Sequence, residues 1–78
     1  MIPTEWLELE SDRVRKVKFV PNPHDQRGDV LVEFIEGKVY RYKDVPSNKV
    51  ERMVHASDPG GYFHGHIRGY YETMKEGA

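Results

Sequence analysis

Apolar and polar positions alternate along three stretches in the first half of the chain, residues 14–20, 29–35 and 38–44. A period of two is typical of β-strands that bury one face, so we expect an antiparallel meander of three strands. The acidic segment 1–12 has too few apolar positions to fix a period, and we expect it to be extended. If it forms an edge strand, the sheet has four strands.

The turn at residues 35–37 decides which face of the sheet receives Tyr40 and Tyr42. A two-residue turn would impose a positive φ on Glu36 and cost about 1–2 kcal/mol, whereas a three-residue turn requires it only at Gly37. We prefer the three-residue turn, which directs both tyrosines into the core. The two-residue alternative would turn them to the opposite face.

A helix is predicted over residues 46–57. Pro46 favours a helix start, since its missing N–H is no loss in the first turn. Val50, Met53 and Val54 follow at helical spacing and form one apolar stripe. The sheet should therefore be packed on one face by this helix, which defines an α+β fold.

Residues 58–61 read Asp-Pro-Gly-Gly and predict the end of that helix. A short helical turn is expected over residues 61–68, and residues 73–78 should form a flexible tail. We therefore expect a single domain over residues 13–72. Its predicted core comprises Val17, Phe19, Val30, Val32, Phe34, Tyr40, Tyr42, Val50, Met53, Val54, Phe63 and Ile67.

Composition limits the classes of function. The chain has 78 residues, enough for one small core, and its 12 Lys and Arg against 13 Asp and Glu give a net charge of -1. The absence of cysteine excludes disulfides, thiolate metal ligands and thiol nucleophiles. No apolar run approaches the ~20 residues of a membrane span, so we expect a cytoplasmic protein without a membrane partner.

The residues that carry a family resemblance run from the hairpin to the glycine-rich stretch. They are Phe34, Gly37, Tyr40, Tyr42, Val45-Pro46, Val50, Val54, Ala56-Ser57, Gly61-Tyr62-Phe63 and Ile67-Arg68. In this order the chain resembles the KTSC domain, which is named for the C-terminus of certain lysyl-tRNA synthetases and also occurs as free-standing bacterial and phage proteins. His64 departs from the family pattern, which often has asparagine there. The resemblance implies RNA binding, suggested by the synthetase attachment, and no catalytic activity.

Residues 62–71 are the densest in side chains suited to ligand binding. Their glycines allow backbone N–H groups to approach a phosphate, and Arg68 could contact it through two N–H groups. The candidate ligand-binding residues are Arg41, Lys43, Tyr62, His64, His66, Arg68, Tyr70 and Tyr71. A purely structural interpretation stays open, in which the glycines allow a tight return and Arg68 caps a helix or pairs with an acid.

His64 and His66 are too few to hold a metal, and no nucleophile and base stand together, so no metal, cofactor or catalytic residue is expected. The sequence favours a non-enzymatic module that binds RNA or another phosphate-bearing ligand. The alternative is a protein-interaction module without a nucleic-acid role. Its exposed strand edge would form a homodimer or dock on a partner, together with Trp6, Leu7, Leu31 and Val39.

Overall fold

Five antiparallel strands form one sheet in the computed structural model, which describes residues 2–76. In chain order they are β1 (Leu7–Glu8), β2 (Val14–Pro21), β3 (Arg27–Phe34), β4 (Val39–Pro46) and β5 (Thr73–Glu76). They lie side by side in this order, so the sheet is a meander. Between β4 and β5 the chain forms two helices, α1 (Ser47–His55) and α2 (Pro59–His66). The predicted α+β class is confirmed.

The β3–β4 hairpin has the register that the three-residue turn predicts. Val32 lies opposite Tyr40, and Val30 opposite Tyr42. Gly37 has a φ of 96°, the positive value that such a turn requires. Tyr42 is consequently only 3% exposed, and both tyrosine rings lie on the inner face of the sheet.

A β-bulge in β2 changes the predicted orientation of its first residues. The register against β3 shifts between Val14 and Lys16, which leaves Arg15 as the extra residue on β2. Val14 and Val17 therefore both face inward and are fully buried. The strict alternation predicted over residues 14–20 requires Val14 and Val17 to face opposite sides, and this prediction is wrong because the bulge resets the period.

The sheet has more strands than the three or four we predicted. Residues 73–76, assigned to a flexible tail, form β5 and pair with β4. Four residues are too few to show a period of two. They form a strand because their backbone N–H and C=O groups pair with those at the edge of β4. At the other side, Leu7 and Glu8 pair with β2, so the segment 1–12 does contribute the edge strand that the sequence left open. Residues 77 and 78 of the predicted tail lie outside the described residues.

The second helix begins two residues before the turn predicted over residues 61–68, at the signal we assigned to the end of the first helix. Pro59 occupies its first turn, and the carboxylate of Asp58 accepts a hydrogen bond from the N–H of Gly61 at 3.1 Å. An Asp-Pro pair thus caps and starts α2. The first helix ends earlier than predicted, at His55.

The core lies between the inner face of the sheet and the two helices. Its predicted members are buried except for Phe34, Tyr40 and Val54, which are half-buried and pack against it. Phe63 is fully buried, and its ring meets the edge of Tyr42 at a centroid distance of 5.1 Å. This aromatic contact joins α2 to the sheet. Val14 and Val45 also belong to the core, although the sequence did not indicate them.

A second bulge near the end of β4 explains the burial of Val45. Asp44 has a φ of 59°, and its N–H donates to the carboxylate of Asp29 at 3.3 Å. Its carbonyl accepts from the guanidinium of Arg27 at 3.1 Å. These contacts hold the left-handed residue that turns Val45 inward, before Pro46 ends β4 and caps α1, which begins one residue later than predicted.

Candidate anion-binding groove

The predicted ligand-binding residues lie in three different places. Two of them, Arg41 and Lys43, are on β4 and face the side of the sheet opposite the helices. His64 and Arg68 lie at a groove beside the β3–β4 turn. The aromatic side chains of residues 62, 66, 70 and 71 gather around Lys49 of α1 or stack on each other.

On the outer face of the sheet, the cations are paired with acids. Arg41 Nη1 lies 2.6 Å from Asp29 Oδ2, and Arg41 Nε lies 3.3 Å from Glu76 Oε2. The hydrogen bond that Arg41 donates to Asp29, followed by the one that it donates to Glu76, raises the pKa of Arg41 above its usual value. Lys43 Nζ lies 3.9 Å from Glu72. The structure thus places Arg41 and Lys43 away from the groove, in contacts that join β3, β4 and the β5 region.

The aromatic group is organised by Lys49, which sequence reasoning did not single out. Its ammonium lies 5.3 Å from the ring centroid of Tyr71 and 5.8 Å from that of Tyr70, and it donates to the carbonyl of His66 at 3.3 Å. Tyr62 stacks on the His66 ring at 4.3 Å. Only the packing of α2 against α1 brings these residues together, so no local pattern could have revealed the role of Lys49.

The candidate protein-contact residues lie on β1 and on the outer face of the sheet. Trp6 and Leu7 are 39% and 37% exposed, and Lys16 Nζ lies 4.9 Å from the Trp6 ring centroid. Leu31 and Val39 are half-buried on the outer face. These apolar side chains are therefore spread across the outer face and one edge.

A groove runs along the end of the β3–β4 hairpin, where the chain passes after α2. One recess of about 400 Å³ is lined by Phe34, Glu36, Tyr40, Tyr42, Arg68, Gly69 and Thr73. A second recess of about 570 Å³ is lined by Asp12, Arg13, Phe34, Ile35, Glu36, His64 and Arg68. Because Phe34, Glu36 and Arg68 line both recesses, the two recesses are adjacent, and we call them together the Arg68 groove.

The end of α2 places Arg68 in this groove. The N–H groups of Ile67 and Arg68 both donate to the carbonyl of Phe63, at 3.0 and 2.9 Å, and Gly69 then takes a φ of 86°. A glycine in the left-handed region is the common way to end a helix. Since Phe63 is fixed in the core, the residue that follows this cap is held beside the hairpin.

The surroundings of His64 disfavour the charged form of its imidazole. Its Nδ1 lies 3.5 Å from Arg68 Nη1. Burial lowers the pKa of His64, and the charges of Arg13 and then Arg68 lower it further. The carboxylates of Asp12 and Glu36 also line the groove, but they do not reverse the effect of the two arginines on this imidazole.

The two arginines have no carboxylate partner in the described part of the chain. Among residues 2–76, no Asp or Glu oxygen lies within 4.0 Å of the guanidinium of Arg13 or of Arg68. Burial raises the pKa of Tyr42, and the positive charge of Arg68 partly opposes this shift. Arg13 was absent from the predicted ligand set, because it approaches Arg68 only through the pairing of β2 with β3.

The comparisons with known proteins identify the class of this chain. The KTSC domain family matches residues 10–71, most of the chain. The protein therefore belongs to the KTSC family, which confirms the resemblance seen in the sequence. No helix among residues 2–76 is long and apolar enough to cross a membrane.

Among solved structures, the chain is similar to the crystal structure of a KTSC domain protein from Yersinia pestis. The TM-score is 0.82 at 23% sequence identity, and the match covers 94% of this chain and 97% of the Yersinia chain. At this identity the likeness demonstrates a shared fold. No curated protein matches the sequence.

Proposed function

We propose that this KTSC domain protein is a non-enzymatic module that binds a phosphate-bearing ligand, single-stranded RNA, in the Arg68 groove. The observation that carries the proposal is the pair of guanidiniums of Arg13 and Arg68. Both line the groove, and neither has a carboxylate partner among residues 2–76. A guanidinium without an acid partner is well suited to a phosphate, since it can donate two parallel hydrogen bonds.

The wall of the groove favours a nucleotide over a bare anion. Phe34 and Tyr40 are half-buried beside Arg68 and pack edge to face with a centroid distance of 5.7 Å. Aromatic surfaces next to a cation allow a base to stack while its phosphate is held, and such stacking is worth about 1–3 kcal/mol per base. The attachment of KTSC domains to certain lysyl-tRNA synthetases also favours RNA as the carrier of that phosphate.

The test is fluorescence anisotropy of a labelled single-stranded RNA in 25 and 200 mM salt. Two contacted phosphates predict a slope of log K against log salt of roughly -1.4. Arg68→Gln should weaken binding by roughly ten- to a hundredfold, the value of a hydrogen bond to a charged group, and should make the slope shallower. Arg52→Gln is the matched control, because Arg52 is exposed on α1 and lines no part of the groove.

Two outcomes would contradict the proposal. Unchanged anisotropy at 25 mM salt with the protein at high micromolar concentration would exclude RNA as the ligand. An equal loss of affinity in Arg68→Gln and Arg52→Gln would show that binding depends on net charge and not on the groove.

A protein-interaction module is the second candidate, favoured by the exposure of Leu7 on the edge strand β1 and of Trp6 directly before it. Exposed apolar side chains at a sheet edge are suited to contact with a second chain. Light scattering at high protein concentration tests the homodimer form of this candidate. A mass that stays that of the monomer would exclude self-association.

A further inference from the structure

We infer that the Arg68 groove recognises a terminal phosphate monoester in preference to a bridging phosphodiester, and that His64 takes up a proton when this group binds. The inference rests on the proposed function, because it specifies which phosphate of the ligand the groove holds. It involves no covalent step, and the proton comes from the solvent.

Three residues with nitrogen-bearing side chains, from different parts of the chain, line one recess. Arg13 precedes β2, His64 lies on α2, and Arg68 follows the end of α2. A terminal phosphate presents three oxygens and carries a charge of -1.5 to -2 near pH 7. A bridging phosphodiester presents two such oxygens and a single charge. Three converging donors therefore match the terminal group better.

The groups that face His64 determine how its protonation responds to a ligand. Glu36 lies in the β3–β4 turn, and Arg68 follows the end of α2. Asp12 and Arg13 precede β2. Their formal charges cancel, so the groove gains a net positive charge only when the imidazole is protonated. Phe63 packs against the imidazole with a centroid distance of 5.8 Å, which keeps part of it from water.

In the free protein, burial and then the charges of Arg13 and Arg68 disfavour a positive charge on His64. A doubly negative phosphate between them would add negative charge beside the imidazole and favour its protonation. The protonated ring can then donate a hydrogen bond to the third phosphate oxygen. Affinity should consequently rise as the pH falls from 8 towards 6.5. It should fall again below about 6, where the phosphate itself becomes a monoanion.

The experiment compares RNA octamers that are identical except for a 5′-phosphate or a 5′-hydroxyl. Binding is measured by calorimetry at pH 7 in two buffers of different ionisation enthalpy, which reports the number of protons taken up. We expect the 5′-phosphorylated octamer to bind roughly ten- to a hundredfold more tightly, with a measurable proton uptake that does not exceed one proton per complex. A nucleoside 5′-monophosphate is the third ligand, and equal affinity for it would support the monoester and indicate that a free nucleotide is the source.

Variants of two histidines separate recognition by His64 from a general effect of charge. His64→Gln should remove the proton uptake and most of the preference for the 5′-phosphate, while far-UV circular dichroism confirms the fold. His24→Gln should keep both, because His24 is exposed in the loop between β2 and β3. The wild-type proton count tests the inference independently of either variant.

The results distinguish failure of this inference from failure of the proposed function. If both octamers bind equally well and Arg68→Gln weakens both, the module binds RNA but the inference about its terminal phosphate is wrong. Tight binding of the phosphorylated octamer without proton uptake would overturn the role of His64. If neither octamer nor the mononucleotide binds, the proposed function and the inference both fall.

Discussion

Replacing Arg41 tests whether the charged residues of β4 hold the sheet together or contact a ligand. Arg41 is 26% exposed in its side chain, with Asp29 Oδ2 at 2.6 Å and Glu76 Oε2 at 3.3 Å. It therefore links β3 to β5 across β4. In Arg41→Gln, both carboxylates lose their charged partner, and we expect the protein to become less stable while the binding of RNA stays unchanged.

The loss of stability expected for Arg41→Gln follows from the geometry of these contacts. Hydrogen bonds to charged groups contribute about 1.5–3 kcal/mol when they are shielded, and partial exposure reduces this to about 1–2 kcal/mol for Arg41. Unfolding of a 78-residue protein typically requires about 4–12 kcal/mol, so the loss is a substantial fraction. The melting temperature should fall by roughly 4–16 °C.

Lys43→Gln is the matched control, since Lys43 lies on the same strand and the same face. Its ammonium is 3.9 Å from Glu72, and the two side chains are 40% and 74% exposed. A pair this exposed contributes less than about 0.5 kcal/mol. Thermal and urea unfolding measure both variants, and hydrogen exchange should show faster exchange of the β5 amides in Arg41→Gln. An unchanged melting temperature together with weaker RNA binding would refute this account and make Arg41 a ligand contact.

Three further changes test the packing and the groove. Gly28→Ala should lower the unfolding free energy by about 1–3 kcal/mol, because a Cβ there would overlap the carbonyl oxygen of Val20; an unchanged urea midpoint would contradict this. Phe63→Ala should cost about 3–5 kcal/mol, since Phe63 is fully buried, and retention of native near-UV circular dichroism at 37 °C would argue against it. NMR titration should give His64 a pKa below 6.5, and Arg13→Gln should raise that pKa because a positive neighbour is lost. Since the lowered pKa means that the folded state binds fewer protons than the unfolded state, stability should decrease as pH falls from 7 through the pKa of His64. A pKa that Arg13→Gln leaves unchanged would refute the placement of Arg13.

The sequence predicts those parts of the fold that depend on a single local choice. The hairpin register follows from Gly37, because only a three-residue turn avoids a positive φ on the preceding glutamate. The apolar stripe of α1 is predictable for the same reason, because it depends only on the spacing of residues within that helix. By contrast, the bulge at Arg15 and the strand β5 depend on hydrogen bonds from a neighbouring strand, so neither has a signature in its own residues.

The candidate site is partly predictable for the same reason. His64 and Arg68 stand four residues apart in the glycine-rich stretch, and one helix end places both at the groove. Arg13 is distant in sequence and reaches them only after β2 has paired with β3. Arg41 illustrates the opposite case, since its acids on β3 and β5 could be assigned only once the register was known.

The order of the strands has a consequence for how the domain assembles and opens. The pairing of β3 with β4 closes a three-residue turn, whereas the pairing of β4 with β5 encloses residues 47–72. This connection is about eight times as long as the three-residue turn, which is three doublings in length. Each doubling costs about 0.6 kcal/mol in closure entropy. We therefore expect β5 to join the sheet last during folding and to detach first in the native state. Because Thr73 of β5 lines the Arg68 groove, such local opening would widen access to the groove without disrupting the core.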